Sequence, residues 1–329
     1  MNRQFISASM ALLVVYGTSV GSAEDAAPLD YVRRDVRLHD PSTIVRCQDE
    51  FWLFATGHGV ASWRSKDLHD WQRGPRAVPK MPEWVKQVVP DQRGHYWAPD
   101  VIFRDGKYWL YYSVSSFGKN RSAIALATNV TLDPDDADFQ WIDRGIVIES
   151  KSADPFNAID PAIIETKDGQ LWMSFGSFWS GLKLVQLDKA SGMCIPDAKL
   201  YSIAKSREIE APYIYEHDGW FYLFVNHGLC CRNLESTYEI RVGRSRSITG
   251  PYIDRDDVQL TQGGGTLILG TQQEFIGPGH AGIVQRDGQS WLGCHVYDGT
   301  DRGKSKLALM PLSWSDDGWP QVVVGPSGQ

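Results

Sequence analysis

The chain has 329 residues, with 33 basic and 40 acidic side chains and a formal net charge of −7. An acidic, evenly mixed charge leaves no electrostatic footprint for a phosphate backbone, which excludes nucleic acid as a partner. A hydrophobic content of 42% excludes intrinsic disorder, while 31 glycines and 17 prolines point to many turns and few long helices.

The N-terminus reads as a targeting segment. Arg3 supplies the positive charge, Met10 and Leu12–Tyr16 an apolar run, and Gly21, Ser22 and Ala23 the small residues before Glu24 and Asp25. This is the layout of a secretory signal peptide cleaved after Ala23. Residues 1–23 are therefore expected to be removed, and residues 24–329 to work outside the cytoplasm, secreted or periplasmic. No other apolar run approaches the roughly 20 residues of a bilayer span, so no membrane partner is expected. The five cysteines, Cys47, Cys194, Cys230, Cys231 and Cys294, contain no C-x-x-C pair of the zinc type and are too few for a disulfide scaffold. Cys230 and Cys231 are adjacent, which leaves a vicinal disulfide and two free thiols both open.

Along the chain one pattern recurs five times: a turn followed by an aromatic-rich alternating strand. The copies are Gln48–Thr56, Gly106–Ser113, Gly169–Ser177, Gly219–Val225 and Gly288–Tyr297. Alternation after a turn signal predicts β-hairpins. Units too short to close a core alone predict a radial architecture, here a five-bladed β-propeller filling 24–329 as one domain. Trp52, Trp109, Trp172 and Trp291 recur at equivalent strand positions and are assigned to the core between blades. Ser65–Trp71, Arg244–Tyr252 and Trp314–Trp319 are expected as edge strands with their turns. No helical periodicity persists.

Just upstream of each strand a proline stands beside a polar residue: Asp40-Pro41, Pro99-Asp100, Asp160-Pro161, Glu210-Ala211-Pro212 and Pro278-Gly279-His280. In a propeller that point lies on the inner strand, beside the central channel. An Asp before Pro is by itself an ordinary turn, but acids at three repeated positions point to function. Glycoside hydrolysis needs one protonated and one ionised carboxyl flanking the bond, and separate blades favour the wider spacing of inverting enzymes, roughly 6.5–9.5 Å. Asp160 and Glu210, on neighbouring blades, are expected to be the closer pair. A like charge raises a carboxyl pKa, which assigns Glu210 as general acid and Asp40 as general base. His39 is placed to orient Asp40 or touch substrate.

The segments Leu38–Ser42 (LHDPS), Tyr96–Asp100 (YWAPD), Tyr111–Asn129 (YYSVSSFGKNRSAIALATN), Asn157–Ile163 (NAIDPAI), Phe175–Gly181 (FGSFWSG), Ile209–Tyr215 (IEAPYIY), Gly228–Arg232 (GLCCR) and Gly277–Gly282 (GPGHAG) resemble glycoside hydrolase family 43, and within it the endo-1,5-α-L-arabinanases. The resemblance spans nearly all of 24–329. It implies a five-bladed propeller and inverting hydrolysis of linear arabinan; a monomer is expected. It also implies Asp40 as base, Glu210 as acid and Asp160 as the residue that tunes and orients the acid. It places a central calcium ion at His280, although calcium prefers oxygen ligands and a His hydrogen-bonded without metal stays open. Sugars need apolar platforms with hydrogen bonds at their edges; within these motifs Trp97, Phe117 and Trp179 are the platform candidates, and Asn157 and Ser177 the hydroxyl-binding ones. Asp100 is read as a channel or structural residue, with support of the site from behind also open. The alternatives are an exo-acting α-L-arabinofuranosidase or β-xylosidase of the same fold, and a carbohydrate-binding propeller without catalysis, which would not need the spaced acids.

Overall fold

The computed structural model describes residues 31–33 and 35–322 and is nearly all β. The expected signal peptide lies outside the described residues. Five antiparallel sheets follow one another along the chain as the blades of a β-propeller. Blade 1 runs outward through Val45–Cys47, Glu50–Ala55, Ala61–Ser65 and Gln72–Arg73. Blade 2 runs through His95–Arg104, Lys107–Val114, Ser122–Asn129 and Ile142–Ser150, with the short Gly57–His58 paired on its inner side. Blade 3 holds Ala162–Glu165, Leu171–Phe175, Leu182–Leu187 and Tyr201–Ala204; blade 4 holds Ile209–His217, Trp220–His227, Glu239–Ser245 and Thr266–Leu269. Blade 5 holds Phe275–Arg286, Gln289–Asp298 and Lys304–Trp314. Its third strand pairs with both ends of the described chain, Val32–Arg33 and Pro320–Val322, which closes the ring.

Local chemistry sets the hairpins. In blades 2, 4 and 5 the first two strands are joined by Asp105-Gly106, Asp218-Gly219 and Asp287-Gly288, with φ of 48° and 72°, 47° and 70°, and 50° and 79°. Two successive positive φ values make the turn whose twist matches the flanking strands, and Asp-Gly adopts it most easily. All five predicted aromatic strands are present, each as the second strand of its blade. Trp52, Trp109, Trp172, Tyr222 and Trp291 sit at matched register, opposite Val45, Ile102, Ile164, Tyr215 and Val284 of the inner strands. Each belongs to, or packs against, a different one of five apolar clusters that fill the spaces between neighbouring blades. Burying a side chain of this kind stabilises the ring by about 1.5–3 kcal/mol.

The expected outer segments differ. Ser65–Trp71, Arg244–Tyr252 and Trp314–Trp319 are the turns leaving the third strands; only Ser65, Arg244–Ser245 and Trp314 lie in strands. Polar caps hold two of these turns: Asp67 Oδ1 accepts from the His69 and Asp70 amides at 2.8 Å each, and Ser315 Oγ from the Trp319 amide at 3.0 Å. The outer strands of these blades are two to four residues long, too short to show alternation. The described residues hold one short α-helix, Glu83–Val88, and no helix long and apolar enough to cross a membrane.

Candidate active site

Within or shortly before each inner strand stands a non-glycine residue in the left-handed region: Asp40 (φ 51°), Ala98 (38°), Asp160 (57°), Ala211 (52°) and His280 (64°). Such backbone costs on the order of 1–3 kcal/mol per residue and gathers at functional sites. The polar groups read as equivalent are therefore out of register. Asp40, Asp160 and His280 are themselves the left-handed residues; Glu210 precedes its own by one position, and Asp100 follows by two. Irregular pairing around Trp97–Asp100 and Glu210–Tyr213 absorbs the offsets.

This offset separates Asp100 from the other acids. Its Oδ1 accepts the Thr43 amide at 2.9 Å and its Oδ2 the Ile163 amide at 2.8 Å, tying blade 1 to blade 3. Burial pushes its carboxyl up to about 6, against those bonds. Asp100 does not line the cleft described next, in agreement with a structural reading.

Asp40, Asp160 and Glu210 line one cleft of about 950 Å3, together with His39, Trp97, Phe117, Asn157, Ser177 and Trp179. Asp40 is held on both oxygens. Its Oδ2 accepts from Thr56 Oγ1 at 2.6 Å, and its Oδ1 lies 2.8 Å from His39 Nδ1. The Nδ1 atoms of His280 and His295 each lie 3.7 Å from the same Oδ1. Burial alone would raise the Asp40 pKa, but His39 and the two further imidazoles hold it far below the usual carboxylate range. His39 responds in the opposite sense. Burial would lower its pKa, yet Asp40 holds it well above the ordinary imidazole value. The His39 ring stacks on His295 at 3.9 Å, and its Nε2 meets the Tyr297 hydroxyl at 2.7 Å. His39 thus contacts Asp40 and also lines the cleft.

Glu210 and Asp160 form the other side. Glu210 Oε2 accepts from Ser177 Oγ at 2.8 Å, and Oε1 from the Tyr238 hydroxyl. Burial, more than neighbouring charge, raises its pKa to about 7; the two hydroxyls pull it down, and Asp40 adds to the rise. The expectation that a like charge is the main cause is corrected accordingly. Asp160 is supported by one weak bond, from the Ala211 amide at 3.3 Å, and is driven well above the carboxylate range by burial, then by Glu210 and Asp40. Two buried carboxyls of this kind share their titration and retain a proton near neutral pH. The site therefore sets a carboxyl whose pKa is lowered against two whose pKa values are raised.

The aromatic candidates reach solvent unequally: Phe117 is 83% and Trp179 44% exposed, while Trp97 is half-buried. Asn157 is buried, with its Oδ1 accepting from Ser122 Oγ at 2.7 Å. Ser177 commits its hydroxyl to Glu210, which makes it a partner of the acid before any contact with sugar. His280 is buried outside the cleft lining, its amide bonded to Asn226 Oδ1 at 2.8 Å. Among the described residues, neither cluster of three metal-ligating side chains includes it. Calcium takes six to eight oxygens, so His280 fits only as a single protein ligand to an otherwise hydrated ion. All five cysteines are free.

Sequence reasoning missed Thr56, Tyr238, His295 and Tyr297. None stands in a proline motif; each is carried in from another strand or loop, and only Thr56, His295 and Tyr297, within the predicted aromatic strands, left a trace. Tyr238 reaches Glu210 because Gly279 has no side chain: a Cβ there would lie 2.3 Å from the Tyr238 ring.

Comparison with known proteins gives a consistent picture. The model of the family described as glycosyl hydrolases family 43 matches residues 35–320. An extracellular exo-α-(1→5)-L-arabinofuranosidase from Cellvibrio japonicus is 44% identical over 303 residues, 88% of this chain and 87% of the relative. An extracellular endo-α-(1→5)-L-arabinanase from Bacillus subtilis is 39% identical over 324 residues, 96% of each. The solved structure of a Cellvibrio cellulosa α-L-arabinanase complexed with arabinohexaose superposes with a TM-score of 0.84 at 43% identity, covering 88% of this chain and 96% of that one.

Proposed function

The chain belongs to glycosyl hydrolases family 43, and on that premise we propose that it hydrolyses α-1,5-linked arabinofuranosyl bonds of arabinan, with inversion at the cleaved carbon. The observation that carries this reading is three carboxyls lining one cleft in unlike surroundings: Asp40 held by Thr56 and His39, and buried Glu210 held by Ser177 and Tyr238 with Asp160 bonded to the backbone beside it. Glu210 gives its proton to the departing glycosidic oxygen as the bond to the anomeric carbon breaks. Asp40 takes a proton from a water that attacks the opposite face of the same carbon. The products are a hemiacetal of inverted configuration and a free hydroxyl, with the enzyme one proton transfer from its starting state. Asp160 keeps the pair protonated and, through the Ala211 amide, fixes the backbone next to Glu210. Phe117, Trp179 and Trp97 serve as platforms for successive sugars, with Asn157 at their edge.

The wide cleft and the Bacillus relative support internal cleavage. The 44% identity to a relative named as exo-acting favours a second reading, release of short products from a chain end. Product sizes from linear arabinan at early times separate them: a ladder of oligomers for internal cutting, a single short product for terminal cutting. Both relatives are named extracellular, which supports export of this chain. A hydrated calcium at His280 would supply positive charge near Asp40, whose Oδ1 lies 3.7 Å from His280 Nδ1. The test of the central reading is Glu210→Ala and Asp40→Ala, each expected to abolish hydrolysis of linear arabinan while soluble yield is unchanged. Full activity in either variant, or a retained anomer by proton NMR of the first product, defeats it.

A further inference from the structure

We propose that Cys230, Cys231 and His39 form a binding site for a thiophilic cation of the zinc type in the wall of the cleft, and that its occupation inhibits the enzyme. The two Sγ atoms and a His39 ring nitrogen all lie within 4.8 Å of one another. A tetrahedral zinc with Zn–S of roughly 2.3 Å and Zn–N of roughly 2.0 Å holds its N and S ligands about 3.5 Å apart. Cys231 Sγ already stands 3.9 Å from His39 Nε2. A shift of a few tenths of an ångström closes that edge.

An independent observation supports the same use of His39. Its other nitrogen, Nδ1, is held by the Asp40 carboxylate at 2.8 Å. A metal-binding imidazole commonly donates its second N–H to a carboxylate, which fixes the ring and strengthens the ligand. Here that support exists beforehand. The thiol loop is also held in place. Leu229 and Thr237 exchange bonds, from the Thr237 amide to the Leu229 carbonyl at 2.9 Å and from the Leu229 amide to Thr237 Oγ1 at 3.0 Å. The Cys231 amide donates to the Tyr297 hydroxyl at 2.7 Å, and the Arg232 amide to Ser236 Oγ at 3.1 Å. Both cysteines line the cleft; Cys231 is exposed and Cys230 half-buried, so an ion reaches them from solvent. Three protein ligands leave the fourth position for water. Binding releases the ligand protons to solvent. It draws His39 Nε2 away from the Tyr297 hydroxyl and seats an ion with its water in the wall of the cleft beside Asp40, where it obstructs the substrate.

The full chain with reduced thiols, titrated with Cd2+ alone, tests the site without substrate. The expected result is a sulfur-to-metal charge-transfer absorbance that saturates at one ion per chain and is displaced by Zn2+. Cys230→Ser and Cys231→Ser should each weaken binding by about tenfold or more, and Cys194→Ser should leave it unchanged. Because Cys231 is exposed, its substitution removes a ligand without disturbing the core. Zn2+ should inhibit the unmodified chain, and Cys231→Ser should relieve that inhibition at the same metal concentration. Absence of the absorbance, its persistence in both Ser variants, or full activity at saturating Zn2+ overturns the proposal.

Discussion

Replacing Tyr238 by Phe removes one hydroxyl from behind the proton donor and leaves the ring in place. Tyr238 is buried, and its hydroxyl bonds Glu210 Oε1 while Ser177 bonds Oε2. Both bonds favour the ionised carboxyl, against burial, which raises its pKa to about 7. A hydrogen bond to a charged group contributes roughly 1.5–3 kcal/mol. At ~1.36 kcal/mol per unit, its loss raises the titration by about 1–2 units. The acid must be protonated to work, so kcat/KM on linear arabinan falls as pH rises through this value. The alkaline limb, near 7 in the unmodified enzyme, should therefore move upward by that amount in Tyr238→Phe. Ser177→Ala should move it in the same direction. The assay is initial rate against pH at low substrate, with circular dichroism to confirm the fold. A limb that stays fixed or moves down in a folded variant refutes the argument that these hydroxyls hold the acid's pKa down.

His39→Asn removes the group that most depresses Asp40. The acid limb, which reports ionisation of the base, should rise into the measurable range as the carboxyl returns toward its ordinary value; an unchanged acid limb counts against His39 as its support. Asp100→Ala leaves the Thr43 and Ile163 amides without acceptors. At about 1–3 kcal/mol per unsatisfied buried group, chemical denaturation should show a loss of about 2–6 kcal/mol, and a loss under 1 kcal/mol would sink the staple reading. Gly279→Ala puts a methyl into the Tyr238 ring and should lower kcat by disturbing Glu210; unchanged kcat would mean that the ring is free to move. Phe117→Ala and Trp179→Ala remove exposed platforms. They should raise KM for long arabinan with stability within about 0.5 kcal/mol, whereas an unchanged KM would remove them from the substrate path.

The blades were legible in the sequence because their causes are local. Strand alternation, a turn before each aromatic strand and an aromatic residue at matched register act over a few residues, and each repeat carries its own copy. The acids were legible for the same reason, since Asp40, Asp160 and Glu210 stand in proline motifs that recur with the blades. What those acids touch was not written locally. A left-handed residue within or shortly before each inner strand turns the chain, and a one- or two-residue offset from it decides whether a carboxyl enters the cleft, as in Glu210, or staples two blades, as in Asp100. His39 meets Tyr297 across 258 positions, and Cys231 meets His39 across 192. Only closure of the ring brings such groups within bonding distance, because the spacing between blades is set by packing in the apolar clusters and not by neighbours along the chain. The protonation states follow from that same closure, since burial, the first influence on Asp40, Asp160 and Glu210 alike, does not exist until the five blades meet.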